Sequence, residues 1–308
     1  MAVGVVDEGR QVLHRTTTGS AGLELDDLLA CLETELRRGL EACPDVEAIG
    51  LGIPCTIDRA RGVAISAVNL PIVDVPIRDL IAERLGLPTF VDNDANLAAL
   101  AEHRFGAARG SRDAVMLTIG TGIGGGLILD GDIYRGSSGA AAELGHVVID
   151  QAGPKCQGNC PNYGCVEVLA SGTALGREGR LAAEAHPGSA LGRALAGGTE
   201  INGRLVTEAA IAGDGIAASV TTIGRRLGVA LSSLANIFDP DVIVIGGGVS
   251  AAGELLLRPA RDQLRTRALP PMNEAPVLGA ELGTDAGMIG ASTMALEESL
   301  EADRGAVA

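Results

Sequence analysis

The stretch GTGIGGGLILDGDIYRG, residues 120–136, limits the possible folds more than any other part of the chain. It contains G-x-G-x-x-G at Gly120, Gly122 and Gly125, the spacing of a dinucleotide-binding turn. Such a turn must lead directly into a helix. Here an apolar strand-like run follows, then Asp130-Gly131, then a second short run, which reads as a hairpin. The dinucleotide reading is therefore rejected. A Walker phosphate loop is excluded as well, because it needs a lysine after its last glycine. The chain's single lysine, Lys155, follows Pro154 instead. What remains is a glycine turn joining two strands. Its successive N–H groups can form an anion-binding nest, with the Thr118 and Thr121 hydroxyls beside it. From this stretch alone, a tight hairpin needing glycine only for positive φ is the competing reading. A second run, Gly246-Gly247-Gly248 at the end of DVIVI, favours a ligand, since α/β folds bind ligands just beyond the carboxyl ends of buried strands. Two such loops suit one nucleotide, phosphates at one and adenosine at the other.

The rest of the chain alternates strand and helix patterns. AVGVVD and RQVLHRTT read as a hairpin around Glu8-Gly9. Leu25, Leu28, Leu29, Leu32, Leu36 and Leu40 recur at helical spacing, which predicts an amphipathic helix over 24–43. VEAIGLGIP and PTFVDND read as strands, and IRDLIAERLG as a helix stopped by Gly86. ANLAALAEHRFG, IAASVTTIGRRLGVALSSLANIF, GELLLRPARDQL and MIGASTMALEESL read as helices, and APVLGAEL as a last strand. The acidic tail after Leu300 is expected to fray. This pattern predicts an α/β protein with mixed sheets. GAARGSRD, residues 106–113, reads as a connector between a domain over 1–111 and one over 112–286, with the terminal helix, about 287–308, rejoining the first.

Composition narrows function. Of 308 residues, 46% are hydrophobic but only 2% aromatic, so the core must be built from Ala, Val, Leu and Ile. A net charge of −15 without a basic patch argues against nucleic acid and anionic membranes as partners. No run is long and apolar enough for a transmembrane helix, and no signal-peptide pattern opens the chain, which reads as cytoplasmic.

Asp92, Asn93 and Asp94 stand where a strand meets a helix. One reading is an N-cap by Asp94 or Asn93. The other is a carboxylate acting as general base toward a hydroxyl, as phosphoryl transfer to an alcohol requires. Cys31, Cys43 and Cys55 are scattered among apolar neighbours and read as small core residues. Cys156, Cys160 and Cys165 are clustered just after His146. In a reducing compartment such a cluster suits metal better than disulfides. A redox role is disfavoured because no C-x-x-C pair is present.

NDANLAALAE, LTIGTGIGGGLILDGDIYRGSSGAAAELGHVVID, GCVE and VIVIGGGVS resemble, in this order, the motifs of the ROK family of bacterial sugar kinases and repressors, and most of all its glucokinase branch. The resemblance covers nearly the whole chain. It implies the two-domain actin-like (ribonuclease H-like) ATPase fold, with sugar and ATP in a cleft between the domains. It implies Asp94 as the base for the sugar's 6-hydroxyl, with Asn69, Asn93, Glu143, His146 and Glu167 bonding other hydroxyls. Gly120, Thr121 and Gly122 would cradle phosphates, and Gly246, Gly247 and Gly248 would lie near the adenosine. The resemblance further implies a structural Zn²⁺ held by His146, Cys156, Cys160 and Cys165, although the C-x3-C-x4-C spacing here departs from the usual C-x-C-x4-C. ATP with Mg²⁺, a hexose (glucose first) and a homodimer or homotetramer complete the expectation.

Family kinases open with a strand carrying D-x-G-G-T-K, and Met1 here begins at what resembles their second strand. The expectations are a start site upstream of Met1 and, without that strand, weak activity. N-acetylmannosamine and fructose kinases share the motifs, as does a non-catalytic sugar-binding protein, the alternative of another class. The family's repressors carry a helix-turn-helix for which these residues leave no room.

Overall fold

The computed structural model describes residues 1–20, 22–67, 70–215 and 217–307. In chain order the first elements are β1 (Ala2–Val6), β2 (Val12–Thr17), α1 (Leu25–Ala42), β3 (Ile49–Ile53), β4 (Cys55–Asp58), β5 (Val63–Ala67), β6 (Val73–Val75), α2 (Ile77–Leu85), β7 (Thr89–Asn93) and α3 (Asp94–Phe105). There follow β8 (Ala114–Ile119), β9 (Ile123–Leu129), β10 (Asp132–Ile133), α4 (Val166–Ala170), α5 (Gly172–Ala185), α6 (Ala190–Ala196) and α7 (Gly203–Ile211). The last are α8 (Ala217–Phe238), β11 (Val242–Gly246), α9 (Glu254–Arg267), β12 (Val277–Gly279) and α10 (Ala286–Val307). Contacts divide the chain into two compact units: residues 1–101, 135–141 and 284–308, and residues 102–134 and 142–283. The first division lies inside α3, ahead of the connector that the sequence suggested.

In the first unit β1 and β2 form an antiparallel hairpin, β3 pairs with β7 in parallel, and β4-β5-β6 make a small antiparallel sheet. The leucine stripe of α1 puts Leu28 and Leu29 into a core with Ile49, Leu51, Ile53 and Ile81. Each such side chain, fully buried, contributes about 1.5–3 kcal/mol. In β3 the sequence IGLGI alternates, so Ile49, Leu51 and Ile53 face that core while the glycines face helices. A Cβ at Gly50 would overlap the Ala291 carbonyl, so glycine lets α10 close on the strand that supports β7. Gly86 ends α2 at φ 71°, the left-handed stop its position predicts. The tail beyond Leu300 is not frayed: α10 runs on to Val307.

The second unit is built on one sheet in the order β10-β9-β8-β11-β12. β8 runs parallel to β11 and antiparallel to β9. Every residue of β11 is buried, as expected for a central strand covered on both faces. In the same core α8 buries Val220, Ile223, Leu227, Ala230, Leu231 and Leu234, a three-and-four spacing of small and branched side chains that replaces aromatic bulk. Both glycine runs lie at one end of this sheet, at the β8–β9 turn and just after β11.

Candidate active site and metal centre

The junction of β7 and α3 gives its three polar residues three different tasks. Asn93 is the cap: its Oδ1 accepts from the N–H groups of Ala95 at 2.9 Å and Asn96 at 3.3 Å. Its Nδ2 donates to the Cys55 carbonyl at 3.3 Å. Asp92 is 1% exposed and is held by Arg135 Nε at 2.7 Å, with Arg59 Nε at 3.8 Å. It also accepts from the Asn93 N–H at 2.7 Å and from Asn96 Nδ2 at 3.1 Å. Arg59 pairs with Glu298 of α10 as well. Asp92 is thus a structural anchor that ties segment 135–141 and α10 to the strand end.

Asp94 is the carboxylate left reachable. Its surface is exposed, though much protein surrounds it, and that partial removal from water pushes its pKa above the ordinary aspartate value. Its Oδ1 accepts from the Ala95 N–H at 2.9 Å, and this and its own backbone N–H pull the other way. Accessible surface decides whether a hydroxyl can approach, and on that measure Asp94 is open. The buried thiol of Cys55 is pushed up to about 12, first by burial and then by the charge of Asp94. Cys55 is therefore a core residue, as its neighbours predict, but one that lies against this carboxylate. Asn69, the remaining sugar-side expectation in this part of the chain, lies outside the described residues.

In the second unit the three-residue turn Gly120-Thr121-Gly122 joins β8 to β9, with Ile119 opposite Ile123. Neither glycine is at positive φ, so conformational need alone does not explain them. A Cβ at Gly122 would overlap the Glu167 carboxylate, whose Oε2 accepts from the Ile123 N–H at 2.8 Å. Gly172 N–H donates to the Gly120 carbonyl at 2.8 Å, and Thr173 Oγ1 to the Thr121 carbonyl at 2.8 Å. The Gly120 and Thr121 carbonyls are thus engaged behind the turn and the Gly122 carbonyl accepts the Gly120 N–H at 3.0 Å within it, while Gly120 and Thr121 are exposed. Beyond β11, Gly247 has φ 84° and packs against the Ile119 backbone, which places the second glycine run beside the first turn. Gly248 is exposed, with nothing within 4 Å of where a Cβ would stand.

His146, Cys156, Cys160 and Cys165 come together, their donor atoms all within 4.8 Å of one another. His146 Nδ1 is 3.6 Å from Cys156 Sγ, and Cys160 Sγ is 3.9 Å from Cys165 Sγ. Zinc ligands at ordinary bond lengths stand about 3.5–3.8 Å apart at the corners of a tetrahedron. The donor set therefore fits a four-coordinate zinc in chemistry and in size. The QGN insertion between Cys156 and Cys160 is absorbed in a turn closed by Cys160 N–H to Gln157 O. Burial pushes the Cys165 thiol up to about 12, the direction expected when three thiols share a site with no cation. The other ring nitrogen of His146, Nε2, lies 3.9 Å from a Glu143 carboxylate oxygen, away from the sulfurs.

Sequence reading missed Arg59 and Arg135. The available signal was Asp92 itself, an acid inside a buried strand, which must have a cationic partner.

Two α/β units, with paired glycine turns at one sheet end of the second and an aspartate at a strand–helix junction of the first, make this the two-domain actin-like ATPase fold. The ROK family model matches residues 1–298, and the chain belongs to the ROK family. It is 39% identical over 264 residues to a glucokinase of Halalkalibacterium halodurans, covering 85% of this chain and 79% of that protein. It superposes with TM-score 0.85 on a ROK glucokinase of Streptomyces griseus solved with glucose and AMPPNP, 36% identical, covering 96% of this chain and 95% of that one. A ROK transcriptional regulator described as a homolog of the E. coli MLC protein superposes with TM-score 0.84 at 29% identity, covering 94% of this chain and 74% of that one.

Proposed function

We propose that the protein phosphorylates a hexose at the expense of ATP, with glucose the first substrate and glucose 6-phosphate the product. The observation that carries this is Asp94: a reachable carboxylate on the first turn of α3, with its pKa raised, flanked by an anchored Asp92 and a capping Asn93. A general base must be ionised and within hydrogen-bond reach of the proton it takes. Asp94 takes the proton of the 6-hydroxyl as that oxygen attacks the γ-phosphate. Asn93, Asn69, Glu143, His146 and Glu167 would orient the other hydroxyls. The Gly120–Gly122 turn would receive phosphates through its N–H groups, and Gly246–Gly248 would border the adenosine. Mg²⁺ bound with ATP supplies charge neutralisation on the phosphates.

His146, Cys156, Cys160 and Cys165 would hold a structural zinc through Nδ1 and three thiolates. Ligation at Nδ1 leaves Nε2 of His146 for a sugar hydroxyl, so the centre would fix the orientation of a substrate contact. The kinase reading is favoured over the regulator reading by the 35–39% identity to glucokinases. A coupled ADP-release assay over glucose, mannose, fructose, N-acetylmannosamine and allose tests it. Turnover highest with glucose is expected. No turnover with any hexose by a protein that still binds glucose would favour the sugar-binding reading.

A further inference from the structure

We infer that Glu167 is a positioning residue for the phosphate turn: its carboxylate latches the Gly120-Thr121-Gly122 backbone in the shape that receives the nucleotide, independently of any contact it makes with sugar. This rests on reading that turn as the nucleotide's phosphate site.

The latch is made of short, directed contacts. Glu167 Oε2 accepts the N–H of Ile123, the first residue after the turn, at 2.8 Å. Gly122 has no side chain where that carboxylate lies, and any Cβ there would overlap it. On the other side the turn is held by Gly172 N–H on Gly120 O and by Thr173 Oγ1 on Thr121 O, at 2.8 Å each. Glu167 and Gly172 stand on either side of the α4–α5 junction, so one short segment grips the turn at both ends. That segment is itself pinned. Val166 N–H donates to Val147 O at 2.9 Å, Cys165 bridges Val148, and Val166 is fully buried. Within the turn the Gly120 N–H closes on the Gly122 carbonyl at 3.0 Å, while the Ile123 N–H and the Gly120 and Thr121 carbonyls are held sideways by Glu167, Gly172 and Thr173. That leaves the Thr121 and Gly122 N–H groups for an anion, in a backbone already fixed, which is the preorganisation that phosphate binding needs.

A consequence is coupling. If a sugar hydroxyl also bonds Glu167, sugar and nucleotide share one carboxylate. Each must then change the other's affinity by the same factor.

Calorimetric titration of Mg·AMPPNP into the full chain without sugar tests the latch. Glu167→Ala removes it, and nucleotide affinity is expected to fall about tenfold or more, the scale of one hydrogen bond to a charged group. Glu167→Gln keeps an acceptor oxygen within reach of Ile123 and is expected to stay within about threefold of wild type. Gly122→Ala displaces the carboxylate with Glu167 in place and is expected to match Glu167→Ala, which covers the case that the latter fails to fold. Wild-type affinity in Glu167→Ala would overturn the latch and leave Glu167 as a sugar contact only. Equal loss in the Ala and Gln variants would overturn it too, because charge would then matter instead of the bond. No binding of Mg·AMPPNP by the wild-type protein would remove the nucleotide reading of the turn, and the latch with it.

Discussion

Replacing Asp92 with alanine should destabilise the first unit by about 3 kcal/mol. Its carboxylate is 2% exposed and meets Arg135 at 2.7 Å and Arg59 at 3.8 Å, while those arginine side chains keep 24% and 25% of their surface open to water. Removing one member of a buried ion pair typically costs 3–5 kcal/mol, because the partner is left uncompensated. Partial hydration of both arginines argues for the low end of that range. Two further donors, Asn93 N–H and Asn96 Nδ2, lose their acceptor as well, and the Asn96 Oδ1 already has no partner among the described residues. Arg135→Ala should cost less, about 1.5–2 kcal/mol, since Asp92 would retain Arg59 and both N–H donors. Thermal unfolding reads the difference. For a unit of this size about 3 kcal/mol corresponds to a fall of roughly 10 °C in Tm. A loss below about 1 kcal/mol in Asp92→Ala, or a larger loss in Arg135→Ala, would refute the idea that Asp92 is the anchor of this network.

Three further outcomes follow from the same geometry. The pKa of Asp94 is raised, so kcat should fall as pH drops through a value above the ordinary aspartate range; a pH–rate profile flat down to the unperturbed value would contradict this. By linkage, a raised folded-state pKa means that the ionised form is disfavoured by folding. That penalty is present above the folded-state value and disappears below the unfolded-state one, so Asp94→Asn should unfold at the same or higher temperature than wild type at neutral pH. Elemental assay of the purified protein should give one zinc per chain, and Cys160→Ser should lower both metal content and Tm; full occupancy in that variant would mean that another ligand serves.

Much of the fold was legible because its elements are periodic and locally punctuated. The α1 stripe, the Gly86 stop, the β1–β2 hairpin and the β8–β9–β10 run each declare themselves within about twenty residues. The small β4-β5-β6 sheet did not. Its strands are short, and residues 55–75 lack clean alternation because DRARG, which turns the chain between β4 and β5, interrupts the apolar pattern. The tail was misread from its charge. Residues 297–304, EESLEADR, are acidic but consist mostly of good helix formers, which carry α10 through them. In the candidate site, residue types and order pointed to Asp94, the glycine turns and the Cys₃His set, and the structure brings the donors of that last set within 4.8 Å of one another. Which of Asp92, Asn93 and Asp94 does what was not readable, because it depends on Arg135 and Arg59, which are distant in sequence. Glu167 poses the same problem: its bond to Ile123 spans 44 positions and leaves no local pattern.

Asp94 as the base of a hexose kinase is tested most directly by measuring glucose phosphorylation and glucose binding in wild type and Asp94→Asn together. The substitution keeps the side chain's size and its capacity to accept the Ala95 N–H, and removes only the proton acceptor. The expected result is glucose affinity within a few-fold of wild type and a kcat lower by roughly 10²-fold or more. A kcat in Asp94→Asn equal to that of wild type would contradict it and reduce Asp94 to a residue of the helix end.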